Sequence, residues 1–136
     1  MAVGTTPRSG ETGARALLSG SISNGVTWYE DVAMTEDGTA ISGTPASWTW
    51  TMTFRESLED DSAVLTLTTA ASGGLTISQG ADATTLQIRV AKATIAPLEG
   101  DYIVDLKSLD TTDTTYDSAG RSIHWAHGVV TVRNEP

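Results

Sequence analysis

Residues 48–55 read WTWTMTFR. In an extended chain Trp48, Trp50, Met52 and Phe54 share one side, and Thr49, Thr51, Thr53 and Arg55 share the other. A helix would scatter these apolar residues around its axis, whereas a period of two is the mark of a strand with one buried face. This stretch therefore sets the expectation of an all-β protein.

The same alternation recurs on both sides. TTLQIRVA (84–91) places Leu86, Ile88 and Val90 inward, and DYIVDLK (101–107) does the same with Tyr102, Val104 and Leu106. Weaker strand patterns lie at 26–34, 63–69 and 75–79, and a last one at 122–133. Turn signals separate them: Asp37-Gly38, Gly43 to Pro45, Asp60-Asp61, Gly73-Gly74, Gly80 to Asp82 and Asp117 to Gly120. Seven short strands at this spacing predict an antiparallel β-sandwich. No segment carries a helical period, and neither a repeat nor a second domain is expected.

Composition agrees. The 136 residues suffice for one core, and Thr, Ser and Gly are abundant. Net charge is −9, which disfavours a nucleic-acid backbone as partner. No apolar run reaches the roughly 18 residues of a membrane span, and the start has no apolar core of a secretory signal. Without cysteine there is neither a disulfide framework nor a thiolate site, which fits folding in a reducing cytoplasm.

Residues 1–24 show no sustained period and read as an N-terminal arm, with the sandwich domain at 25–136. Arg8 and Arg15 against Glu11 give residues 1–20 a charge of +1, leaving −10 on the rest. Such a segment cannot order itself alone. It packs on its own domain or lies on a neighbouring molecule, and Arg8, Arg15, Leu17 and Leu18 are its candidate contact residues.

APLEGDYIVDL (96–106) opens a strand with Tyr102 just after a Glu99-Gly100-Asp101 corner. Immunoglobulin-like sandwiches use a tyrosine there, its hydroxyl bonded back to the corner. Trp48 or Trp50 is then the core tryptophan. The closing stretch RSIHWAHGVVTVRN (121–134) holds both histidines, His124 and His127. Three apart on a regular strand, they point to opposite faces. Ile123 and Trp125 are out of phase with Val130 and Val132, however, so a bulge is expected between them, with Gly128 as the residue that tolerates it. With no cysteine and no adjacent carboxylate, a zinc site is not expected, and both histidines read as architecture.

The remaining chemistry is sparse. Glu56, Glu59, Asp60 and Asp61 match no calcium-loop spacing and read as a solvated turn. They select no glycosidase pair, and there is neither a phosphate-binding glycine loop nor a nucleophile elbow. Neither catalytic residues nor a cofactor are expected. Trp28-Tyr29 cannot both enter one core, so one is a candidate for an outer contact or a sugar-stacking platform.

GDYIVDLKSLD (100–110), a polar hairpin, and HWAHGVVTVRNEP (124–136) together resemble small phage virion proteins with immunoglobulin-like folds. WTWTMTFR resembles an earlier strand of that group ending in Phe-Arg. The resemblance covers about Trp48 to Val132. It implies a non-enzymatic component of the tail, baseplate or neck, assembled in the bacterial cytoplasm. Its partners would be other virion proteins, including copies of itself, met through the arm and sheet edges. Capsid decoration is the alternative within that class. A carbohydrate-binding module contacting host glycans is the alternative outside it. His127 is the histidine expected to affect assembly more than folding.

Overall fold

The computed structural model describes residues 2–3, 16–35, 41–59, 62–80 and 84–134, with 2–3 and 16–19 described by backbone alone. Among the described residues nine strands are formed: β1 (Ala2–Val3), β2 (Ala16–Ser23), β3 (Trp28–Met34), β4 (Thr49–Arg55), β5 (Leu65–Thr68), β6 (Leu75–Gln79), β7 (Thr84–Val90), β8 (Gly100–Asp110) and β9 (Arg121–Arg133). A 3-10 turn at Pro45–Ser47 precedes β4, and a single helical turn, α1 (Lys92–Ile95), follows β7. That turn corrects the expectation of no helix. Four residues are too few to display a helical period, although α1 buries Ile95.

Two sheets result. The larger has the order β1-β2-β9-β8-β4-β5 and the smaller β3-β7-β6. All neighbours are antiparallel except β2 and β9, which run parallel with Ala16 opposite Ala126 and Ile22 opposite Val132. Residues 16–23, expected as part of an arm, are thus a strand of the larger sheet, and Ile22 is buried. Arg8 and Arg15 lie outside the described residues. At one corner Thr68 and Gly74 form an isolated bridge that joins the sheets, and at the other β1 runs beside β3.

The period of two explains why the layers close. Trp50, Met52 and Phe54 of β4 are fully buried, as are Val104 and Leu106 of β8 and Leu86 and Ile88 of β7. Burying each such side chain contributes about 1.5–3 kcal/mol. An exposed ion pair contributes only about 0–1 kcal/mol, so this inner layer decides the fold. Trp28 of the small sheet meets Phe54 of the large one edge to face, with centroids 5.7 Å apart. Toward the opposite end of β4, Trp48, Trp50 and Trp125 cluster with centroids 5.6–6.5 Å apart. Two of the three satisfy their indole N–H: Trp50 Nε1 donates to the Pro45 carbonyl at 2.8 Å, and Trp125 Nε1 to Ser108 Oγ at 2.7 Å, whereas the buried Trp48 Nε1 finds no acceptor among the described residues.

Tyr102 opens the inward row of β8. Its hydroxyl donates to the Glu99 carbonyl and accepts from the Glu99 N–H, each at 3.0 Å. Nearby, Asn24 ties the β2–β3 turn to the same end, its Nδ2 donating to the Leu98 carbonyl at 2.8 Å.

Candidate functional site

The outer face of the larger sheet is built by the residues that alternate with the core. From β4 come Thr49, Thr51, Thr53 and Arg55, and from β8 Asp101, Ile103, Asp105 and Lys107. β9 adds His124, His127, Val129, Thr131 and Arg133.

Both histidines stand on this face because β9 carries one extra residue. Leu106 pairs with Ala126 and Lys107 with His124, so Trp125 has no residue opposite it. Trp125 and Ala126 are consecutive and both fully buried. The bulge expected from the phase of Ile123 and Val130 is therefore real, but it lies before Ala126 and not at Gly128, which pairs regularly with Val104. Alanine's small side chain lets two consecutive residues turn inward, so no glycine is required there.

The shift brings the two imidazoles to a centroid distance of 6.1 Å. His124 Nε2 lies 2.9 Å from Asp105 Oδ1, while Arg55 donates to Asp105 Oδ2 at 3.3 Å. Asp105 is thus shared between β4 and β9 from its place on β8. Its side chain keeps 17% exposure, low enough for these charges to feel one another more than in bulk water. Lys107 is the register partner of His124, and Asp105 that of His127. Among the described residues no group of three or more His, Asp or Glu is arranged to hold a metal ion.

Where β8 returns to β9, the loop 110–120 protrudes. Asp110 Oδ1 accepts from the Thr112 N–H and hydroxyl, Asp113 Oδ1 from the Thr115 N–H, and Asp117 Oδ1 from the Ala119 N–H. Gly120 closes it at φ +115°, where a Cβ would lie 2.7 Å from the Asp110 carbonyl oxygen. Hydrogen bonding from Thr115, side chain and backbone, together with the nearby Arg121 charge, holds Asp113 below the usual carboxylate range. Tyr116 in this loop is 94% exposed.

The expected outer aromatic resolves on the other sheet. Trp28 faces the core and Tyr29 faces outward at 70% exposure. One side of the Tyr29 ring is covered by the Arg89 guanidinium, 3.4 Å from the centroid, and Arg89 is itself fixed by Asp31 at 2.7 Å. A row of aromatics containing Trp28 is therefore not presented to solvent. Leu17 is the register partner of His127 and Leu18 of Val3. Glu56 and Glu59 are exposed, and Asp60 and Asp61 lie outside the described residues. Sequence reasoning overlooked Tyr116 and the Arg55–Asp105–His124 link. The DTTDTTYD run (110–117) was a signal for the first. The second depends on cross-strand register, which no local pattern encodes.

No protein-family model matches the chain, and a search of curated proteins finds no match.

Proposed function

We propose that this chain is an immunoglobulin-like sandwich acting as a non-enzymatic structural component of a phage virion, in the tail, baseplate or neck. One observation carries the reading. The three stretches that resemble such proteins, within 48–55, 100–110 and 124–136, contribute the neighbouring strands β4, β8 and β9 of a single sheet. The Gly-x-Tyr opening among them makes the corner contact between Tyr102 and Glu99. On the outer face Arg55 and His124 meet Asp105, and Thr131 meets Asp101, across neighbouring strands, which suits a scaffold that meets other proteins.

The test is compositional. Particles purified by density gradient from a lysate of cells making this protein should contain it at a fixed ratio to the major shell or tail protein, by quantitative mass spectrometry. Protein found only in the soluble fraction, while complete particles form, would overturn the reading.

A further inference from the structure

The charges of this acidic chain are unevenly placed. Of its 17 carboxylates, Asp101 and Asp105 are those that the described residues put on the outer face of the larger sheet. Asp101 accepts from the Thr131 hydroxyl at 2.7 Å, and Asp105 is held by Arg55 and His124. The same face carries Arg55, Lys107 and Arg133 and both histidines of the chain. It is net basic on a body of net charge −9. The loop 110–120 is the converse: it carries Asp110, Asp113 and Asp117 together with the exposed Tyr116, and its own hydrogen bonds hold it in shape. Tyrosine on a pre-formed loop is a favoured interface anchor, because little freedom is lost on docking.

We propose that loop 110–120 docks on the outer face of the larger sheet of a second copy, where Lys107, His124 and His127 receive its carboxylates and Val129 meets Tyr116. The inference rests on the reading of the chain as an assembly component, and names the surface. Loop and face are different patches, so the contact is heterologous and propagates into a ring or a filament. Weak single contacts then gain through multiplicity. Electrostatics fixes two signatures. Added salt weakens the association. Histidine as a residue type changes charge between about pH 5 and 8, so docking strengthens as pH falls through that range. Arg55, Asp105 and Lys107 are the other charged groups facing the histidines among the described residues. Asp113, held low by Thr115 and Arg121, keeps its charge throughout.

Sedimentation velocity on the full chain over a concentration series tests this. Self-association is expected near pH 6 in about 0.05 M salt, weakened about tenfold or more in about 0.5 M salt or near pH 8. Lys107→Glu disables the face and Tyr116→Lys disables the loop; both residues are exposed, so folding is preserved. Each variant alone should remain monomeric. An equimolar mixture should form heterodimers and stop there, because each supplies the patch that the other lacks. A wild-type monomer under every condition would overturn the docking while leaving the particle-composition test to decide the broader reading. Association that survives in both single variants would overturn it as well.

Discussion

Trp125 and Ala126 are neighbours in the chain, and both point into the core. This single doubling sets the phase of the last strand on either side of it and carries His124 to the face that His127 occupies. Inserting one alanine between His127 and Gly128 adds a second extra residue and should drive either Ile123 and Trp125 or Val130 and Val132 to the outer face. The loss should exceed about 4 kcal/mol and abolish the cooperative urea transition followed by tryptophan fluorescence.

Ser108 is a buried polar residue whose hydroxyl accepts from Trp125 Nε1 at 2.7 Å. Ser108→Ala leaves that indole N–H without its acceptor, at a cost of about 1–3 kcal/mol. Ser108→Thr keeps the acceptor and should cost less. Midpoints of chemical denaturation for the two variants decide the point.

Tyr102→Phe removes both bonds to Glu99 while retaining the buried ring. About 1–2 kcal/mol of stability should be lost with an unchanged far-ultraviolet circular dichroism spectrum. An effect below the error of the measurement would mean that the corner is held by Leu98 and Asn24 instead.

Asp113 titrates below the ordinary carboxylate range in the folded chain because Thr115 and Arg121 favour its charged form. Its contribution to stability is therefore present above the unfolded carboxylate value and is lost as pH falls through the folded one. Between about pH 5 and pH 3 the wild type should lose stability faster than Asp113→Asn, with the two curves parallel above that window. Urea midpoints across this range provide the comparison.

The position of β2 separates two truncations. Removing residues 1–15 leaves β2 in place, whereas removing 1–23 also deletes the parallel partner of β9 and the buried Ile22. The shorter truncation should fold cooperatively, and the longer one should expose the edge of β9 and aggregate, as light scattering would register.

The strands were legible where one face alone is wet. WTWTMTFR and TTLQIRV alternate strictly because core and solvent lie on opposite sides, and their limits fall within a residue or so of those read from sequence. The leader was not, because ALLSGS (16–21) lacks alternation and β2 gains its place from the register with β9. The bulge was visible as a phase error between Ile123 and Val130, yet its position was not, since the phase is equally well corrected at Ala126 or Gly128. The histidine cluster required β4, β8 and β9 together, and Arg55 and Asp105 are fifty residues apart in sequence.

The parallel pairing of β2 with β9 has a consequence for synthesis. The strands joined there come from opposite ends of the chain, so this part of the sheet closes only after Arg133 has left the ribosome. Until then β8 presents a bare edge of Gly100–Asp110 along which its partner has yet to arrive. Closure of this sheet is thereby deferred until β9 has been made, and nascent chains crowded on one message are exposed to strand exchange in that interval. Slowing translation should therefore do little for the yield of folded protein, and holding back neighbouring chains, as a chaperone does, should do more.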